Sequence, residues 1–485
     1  MKKQKMSLNM LLNMMRVLLS IIFPLITFPY ISRILDVENI GKISFAKSLV
    51  SYFSLIAAFG ISSYAIREGA GCRGNKNDFE KFANEIFTLN IFTSSIACIL
   101  LGITTIIFPQ LYVYKKLIFL QGLVVLFAPL AVDWINNIYE DFLYITIRSI
   151  TVQIISIVLM FIFVKQQQDY YKYAAISVFS ACMANIINYF YVRKYVKLKI
   201  CIGNNLIKHF KVTIIFFVNS IASTIYLNSD TTLIGLICND TAVGLYSTAT
   251  KIYSILKQLI NAFAAVTIPR LSYLYKNERE KFYNLVEKLI NTIILFSLPA
   301  AFGMVIISSD LITLIAGKNY LEAKTALSIL ALAIPFAALA YIVANGILIA
   351  VQREKSVLLG TVISALINIL LNFIVIPIYK QNGAAFTTLV AEIIMLLISC
   401  IAAGDILKNV AIKKNLIQCS VATSIMCFLA FEIRYFNNSH MSLINILIYM
   451  LPCASIYFLL LLLFKNDICI NLSKKIYNKI SGRRK

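Results

Sequence analysis

The chain has 485 residues, of which 60% are hydrophobic and only 14% charged. Soluble globular domains are about half apolar and about a quarter charged, so this composition, with a mean hydropathy of +0.81, excludes one large soluble core and points to an all-α polytopic membrane protein. The net charge of +23 would suggest a nucleic-acid partner in a soluble protein, but the basic residues lie mostly in loops, where they set topology.

The basic start, residues 1–15, runs into an apolar stretch that passes signal-peptide length without a small-residue cleavage site, so no cleavable leader is expected. Apolar runs of spanning length fall near 8–31, 43–66, 83–108, 117–139, 142–164, 171–192, 211–237, 242–268, 286–308, 326–350, 356–379, 383–403, 417–433 and 442–464. They predict about fourteen transmembrane helices. The run at 417–433 is the shortest. The organisation follows as a six-helix lobe over 1–200, a second over 201–410, and two further helices with a basic tail over 411–485. That tail is a natural anchor to anionic headgroups.

Positive charge orients the spans. With the N-terminus in the cytoplasm, inside segments hold 30 Lys and Arg and outside loops hold 10. Both termini are therefore expected in the cytoplasm. Five cations remain within spans: Arg16, Lys47, Arg148, Lys251 and Lys257. A charge deep in the bilayer costs at least a few kcal/mol and normally faces a cavity or a partner, so function is sought there. The ten cysteines are scattered and form no C-x-x-C, which suits reduced packing residues. His209 and His440, the two histidines, lie too far apart in sequence to suggest metal chemistry or His-based catalysis, and no cofactor other than a coupling ion is expected. No P-loop is present, so the chain itself is not expected to hydrolyse ATP.

Residues 40–46 and 243–249 align at an offset of 203, with Gly41, Ser44 and Ala46 matching Gly244, Ser247 and Ala249. Small residues at helix starts let backbones approach closely. The matched segments open spans two and eight, so the repeat unit is six helices. An even unit preserves orientation, which predicts parallel repeats with a substrate site between them near the midplane. Pro24 and Pro29 in the first span remove backbone donors and, with Arg16, mark it as a flexing element.

The stretch 24–70 carries P-x-x-x-x-P-Y-x-x-R-x-L, I-G-K-x-x-F-A and I-R-E segments. It resembles the start of bacterial O-antigen and capsule oligosaccharide flippases of the multidrug/oligosaccharidyl-lipid/polysaccharide exporter superfamily. The resemblance implies two six-helix lobes around a central cavity that opens alternately to each side of the cytoplasmic membrane. It also implies an undecaprenyl-diphosphate-linked oligosaccharide as cargo, with cations on helices one, two and eight engaging the diphosphate. Arg16, Lys47 and Lys251 occupy those helices, and Arg148 is a fourth candidate. Arg offers phosphate a forked donor set and Lys a point charge.

A second constellation joins Asp230 late in span seven, Asn368 and Asn372 on one face of span eleven, and Thr388 with Glu392 on span twelve. Carboxylate, amide and hydroxyl oxygens suit a hard cation. Related lipid-precursor flippases carry a sodium site on these three helices, with a carboxylate where this chain has an amide. With one carboxylate missing the site is weaker or proton-linked, so sodium, a proton or the membrane potential alone is left as the driving force. A cation-coupled multidrug antiporter of the same superfamily is the alternative, and would prefer carboxylates in the N-terminal lobe. A membrane enzyme would need a sizeable external loop with catalytic charges, which the spans do not leave, so no enzyme activity is expected. Expected partners are the lipid-linked oligosaccharide, membrane lipids, and a polysaccharide polymerase with other assembly proteins.

Overall fold

The structure, a computed structural model, describes residues 19, 22–201, 205–265, 267–436 and 443–480. Helices dominate and no strand occurs among the described residues. The chain divides into two compact units, 1–244 and 245–485.

The first unit holds α1 (Ile22–Ile34), α2 (Val37–Ala58), α3 (Ile61–Cys72), α4 (Lys76–Ile107), α5 (Lys115–Leu126), α6 (Asp133–Ile138), α7 (Phe142–Phe163), α8 (Tyr170–Tyr191), α9 (Leu206–Ile237) and the first turn of α10 (Asp240–Ala265). The second expected span is two helices, α2 and α3. Phe59 and Gly60 both take positive φ, 43° and 69°, and turn the chain between them. A Cβ on Gly60 would lie 2.6 Å from the Phe216 side chain and 2.7 Å from the Phe217 backbone, so this turn also packs directly on α9. The fourth expected span is broken too. Pro129 sits in a 3-10 turn, Ala128–Leu130, that separates α5 from α6. Proline lacks the amide that a continuous helix would need there.

Where α3, α4 and α6 meet, Ile61, Tyr64, Phe79, Phe82, Ile86, Trp134 and Ile135 form a buried core. The turn before α7 is tied by Asp141, which accepts from the Tyr191 hydroxyl at 2.7 Å, the Tyr195 hydroxyl at 2.8 Å and the Lys194 ammonium at 2.9 Å. Burial alone would push this carboxyl up, but the Lys194, Tyr191 and Tyr195 donors hold it below the ordinary aspartate value. At the α7–α8 connection, Asp169 accepts from the backbone amides of Lys165 at 2.9 Å and Gln166 at 3.0 Å. Lys172 and those amides bring its carboxyl down to about 2.

The second unit continues α10 and adds α11 (Ile268–Asn277), α12 (Arg279–Ile306), α13 (Ser308–Ile315), α14 (Ala323–Tyr341), α15 (Glu354–Ala402), α16 (Gly404–Leu407), α17 (Lys413–Phe436), α18 (Leu443–Leu463) and α19 (Asp467–Ile480). Lipid tails are as apolar as leucine, so helices in a bilayer associate through close packing of small residues. In α14, Ala326, Ala331, Ala333, Ala337 and Ala338 are all buried, and α14 runs on into a π-helical turn, Ile342–Leu348. The eleventh and twelfth expected spans are one helical run, α15, kinked at Lys380 (φ 49°, ψ −127°).

An amide network ties the end of this unit together. Buried Asn466 donates to the Asn415 and Gln418 side-chain oxygens, both at 2.8 Å, and accepts from the Ile468 and Cys469 amides at 3.2 Å, capping α19. Asn415 in turn donates to the Asn291 carbonyl at 3.1 Å. Wherever their residues are described, the expected spans fall on helical segments, the second and fourth on broken ones; among the described residues nine helices, or ten with one bent pair, are long and apolar enough to cross a membrane.

Candidate functional site

Arg16 lies outside the described residues. Lys47 is on α2, ten residues past Val37, or about 15 Å along the helix axis. Its side chain is exposed yet surrounded by protein at longer range. Among the described residues it has no hydrogen-bonding or ion-pairing partner. Its neighbours on the helix, Ala46 and Ser48, are buried, so one aliphatic stem carries the charge out of an otherwise packed helix.

Arg148, on α7, is differently placed. Its side chain is 4% exposed and its Nη2 lies 2.9 Å from Asp133. Asn188 on α8 donates to the same carboxylate at 2.6 Å, and the guanidinium lies 5.8 Å from the centre of the Tyr144 ring. Arg148 Nε and Nη1, the Asn188 Oδ1 and both polar atoms of the Asn136 side chain are buried without a partner among the described residues. The structure thus joins Arg148 to α6 and α8 rather than leaving it open.

Lys251 is half-buried on α10 in the second unit. Lys257, about three turns past Tyr246, forms an ion pair with buried Glu392, which also accepts from Tyr253 at 3.3 Å. Tyr246 and Thr388 lie 3.1 Å apart through their hydroxyls. One face of α10 therefore makes a polar seam with the second half of α15.

Of the four residues assigned to a cation, Asp230 is buried in the first unit and Asn368, Asn372 and Thr388 belong to the second. The two asparagines are together: Asn372 Nδ2 donates to Asn368 Oδ1 at 3.1 Å. The hydroxyl that reaches them is Thr387, which donates to Asn372 Oδ1 at 2.5 Å. Thr388 instead donates to the Ala384 carbonyl at 2.9 Å. Thr387 therefore joins the asparagine pair, and Thr388, the next residue, lies beside Tyr246 on the α10 seam.

Sequence reasoning missed a buried triad in the first unit. Tyr64 and His209 Nδ1 are 2.6 Å apart, and His209 Nε2 lies 2.9 Å from Glu85. The available signal was that Glu85 and His209 both sit within about two residues of the same-side ends of their expected spans.

Comparison with known proteins adds the following. Over 320 residues, 64% of this chain and 75% of the relative, the sequence is 25% identical to a candidate O-antigen transporter of Escherichia coli (strain K12). It is 29% identical over 115 residues, 24% of each chain, to a candidate low-salt glycan biosynthesis flippase of Haloferax volcanii. The fold is similar to a solved lipid II flippase MurJ in an inward closed conformation, with a TM-score of 0.74, 18% identity, and coverage of 95% of this chain and 99% of that one. An inward-facing multidrug resistance MATE family transporter matches with a TM-score of 0.57 at 12% identity, covering 77% of this chain and 95% of the other. A MatE model matches residues 216–374. The family model described as polysaccharide biosynthesis protein matches residues 8–275, more than half of the chain, and the chain belongs to that family.

Proposed function

We propose that this protein is a flippase that moves undecaprenyl-diphosphate-linked oligosaccharide repeat units across the bacterial cytoplasmic membrane by alternating access, for cell-surface polysaccharide biosynthesis. Its role is transport rather than catalysis. The observation that carries this reading is Lys47: an exposed ammonium without a partner among the described residues, about 15 Å along a spanning helix. A cation so placed is costly unless water and an anion reach it. The family match and the O-antigen relatives support a lipid-linked oligosaccharide as that anion.

In this reading Lys47, Lys251 and Arg16 draw the diphosphate and its sugars into a water-filled chamber open to the cytoplasm, while the isoprenoid tail stays in the bilayer. Both termini are cytoplasmic. The membrane potential, worth about 2.3 kcal/mol per charge per 100 mV, favours outward movement of the anion and inward return of cations. Sodium or a proton, held by Asp230, Asn368, Asn372 and Thr388, is the candidate coupling ion.

Lys47→Ala and Lys251→Ala, each at normal membrane level in a strain lacking its own flippase, are expected to cut surface polysaccharide by at least roughly tenfold, as loss of ~1.4 kcal/mol of anion binding would. Full polysaccharide with both variants would sink the cationic site. The MatE match over 216–374 favours a second reading, cation-coupled drug export. Restored drug resistance without restored polysaccharide would select it.

A further inference from the structure

α2 and α10 begin in the same way. Asp36 accepts from the Asn39 amide at 2.9 Å, and Asn239 accepts from the Ala242 amide at 2.9 Å. Both the capping residues and the amides they hold differ by the repeat offset of 203. Each cap satisfies an amide that the first helical turn leaves open. A glycine then follows one turn later on each helix, at the matched positions Gly41 and Gly244.

Those two glycines meet the opposite helix. A Cβ on Gly41 would lie 1.8 Å from the Asp240 carbonyl oxygen, and a Cβ on Gly244 would lie 2.0 Å from the Val37 carbonyl oxygen. Val37 and Asp240 also differ by 203. The contact is therefore reciprocal: each repeat's glycine rests on the first residue of the other repeat's helix, the pattern that two-fold symmetry produces. Both partners lie in the first compact unit. Neighbouring groups brace the crossing. Tyr114 donates to Asp240 Oδ1 at 2.7 Å, and the Phe45 ring packs 4.8 Å from Tyr114. A Cβ on Gly235 would come within 2.1 Å of that Phe45 ring.

Backbone atoms, unlike the tip of a long side chain, cannot step aside cheaply. No side chain larger than hydrogen fits at 41 or 244 unless the helix starts separate. We infer that the Gly41–Gly244 crossing is the closed outer seal of the transport cycle, and that the starts of α2 and α10 part there each time cargo leaves. The inference rests on the flippase reading for the direction of cargo, while the Lys and Arg bias of the loops places these helix starts on the outer side. It names the two positions at which the seal is made, with the Tyr114–Asp240 hydrogen bond as its latch.

The test uses the full-length protein with Val37→Cys as reporter, its ten native cysteines replaced, and a membrane-impermeant maleimide added to whole cells. Labelling should be slow with Gly41 and Gly244 intact. It should rise by at least roughly tenfold in Gly41→Ala, the factor that a ~1.4 kcal/mol bias toward the open form gives. Tyr114→Phe, which removes one hydrogen bond and no volume elsewhere, should raise it less and keeps the test valid if the alanine variant fails to accumulate. A bismaleimide bridge between Val37→Cys and Asp240→Cys should stop polysaccharide export. Unchanged labelling in both variants, or full export by the bridged protein, overturns the seal. The labelling arm does not depend on cargo: if wild-type protein restores no polysaccharide while labelling still responds, the flippase reading fails and the seal stands.

Discussion

Two cations inside spans look alike in the sequence and differ in the fold. Lys47 has no partner among the described residues, whereas Arg148 is held by Asp133, with Asn188 on the same carboxylate. Removing one member of a buried pair leaves the other charge uncompensated, at a cost of about 3–5 kcal/mol; the cost is smaller here because Asp133 is 38% exposed. Arg148→Met and Asp133→Leu are each expected to lower the yield of monodisperse protein in fluorescence-detected size exclusion. The double variant should recover part of that loss, since it leaves no lone charge. Its transport activity then separates a packing role for Arg148 from a role on the diphosphate. A double variant with the losses of both singles added would show that the two side chains act independently. The sequence located both cations but not this distinction. A partner fifteen residues away is fixed by the turn between α6 and α7, not by helical periodicity.

Helix existence was far more legible than helix continuity. Each described span follows from a run of apolar residues, because a bilayer demands internally satisfied backbone over about twenty residues. The breaks follow from local backbone geometry instead. Pro129 could be read directly. Phe59 and Lys380, both non-glycine residues at positive φ, could not. Holding such a residue in this region costs of order 1–3 kcal/mol. Exposed Lys380 makes no contact that would require lysine among the described residues, so Lys380→Gly is expected to raise the thermal midpoint of the purified protein, by about 1 kcal/mol of stability. Gly383→Ala should lower it, because the new Cβ would lie 2.7 Å from the Val375 carbonyl oxygen. Equal midpoints for both would mean that the kink is not under the strain its torsions indicate. At this level the sequence also did not single out Thr387, whose hydroxyl donates to Asn372.

For the molecule as a whole, composition and loop charge carried most of the information. Hydropathy marked a polytopic chain, and the 24–70 motifs pointed to the family that the matched model then supplied. The threefold bias of Lys and Arg toward one set of loops makes a specific prediction about insertion. Green fluorescent protein fused after Lys485 should fluoresce, and alkaline phosphatase at the same place should be inactive, while phosphatase inserted at the Lys380 kink should be active. The reverse pattern would invert the assignment of inside and outside, and with it the direction of transport. What the sequence withheld was long-range pairing. The amides of Asn291, Asn415 and Asn466, and the Tyr64–His209–Glu85 triad, come from distant segments that only the packed helices bring together.

The π-turn at Ile342–Leu348 has a consequence for comparing this chain with others. Such a turn accommodates a surplus residue relative to an α-helix. A homologue with an unbroken helix here must therefore carry a one-residue gap, or every side chain from Ile349 onward would swing by about 100° around the helix axis. Alignments forced through this point without that gap would pair lipid-facing positions of one protein with core positions of the other.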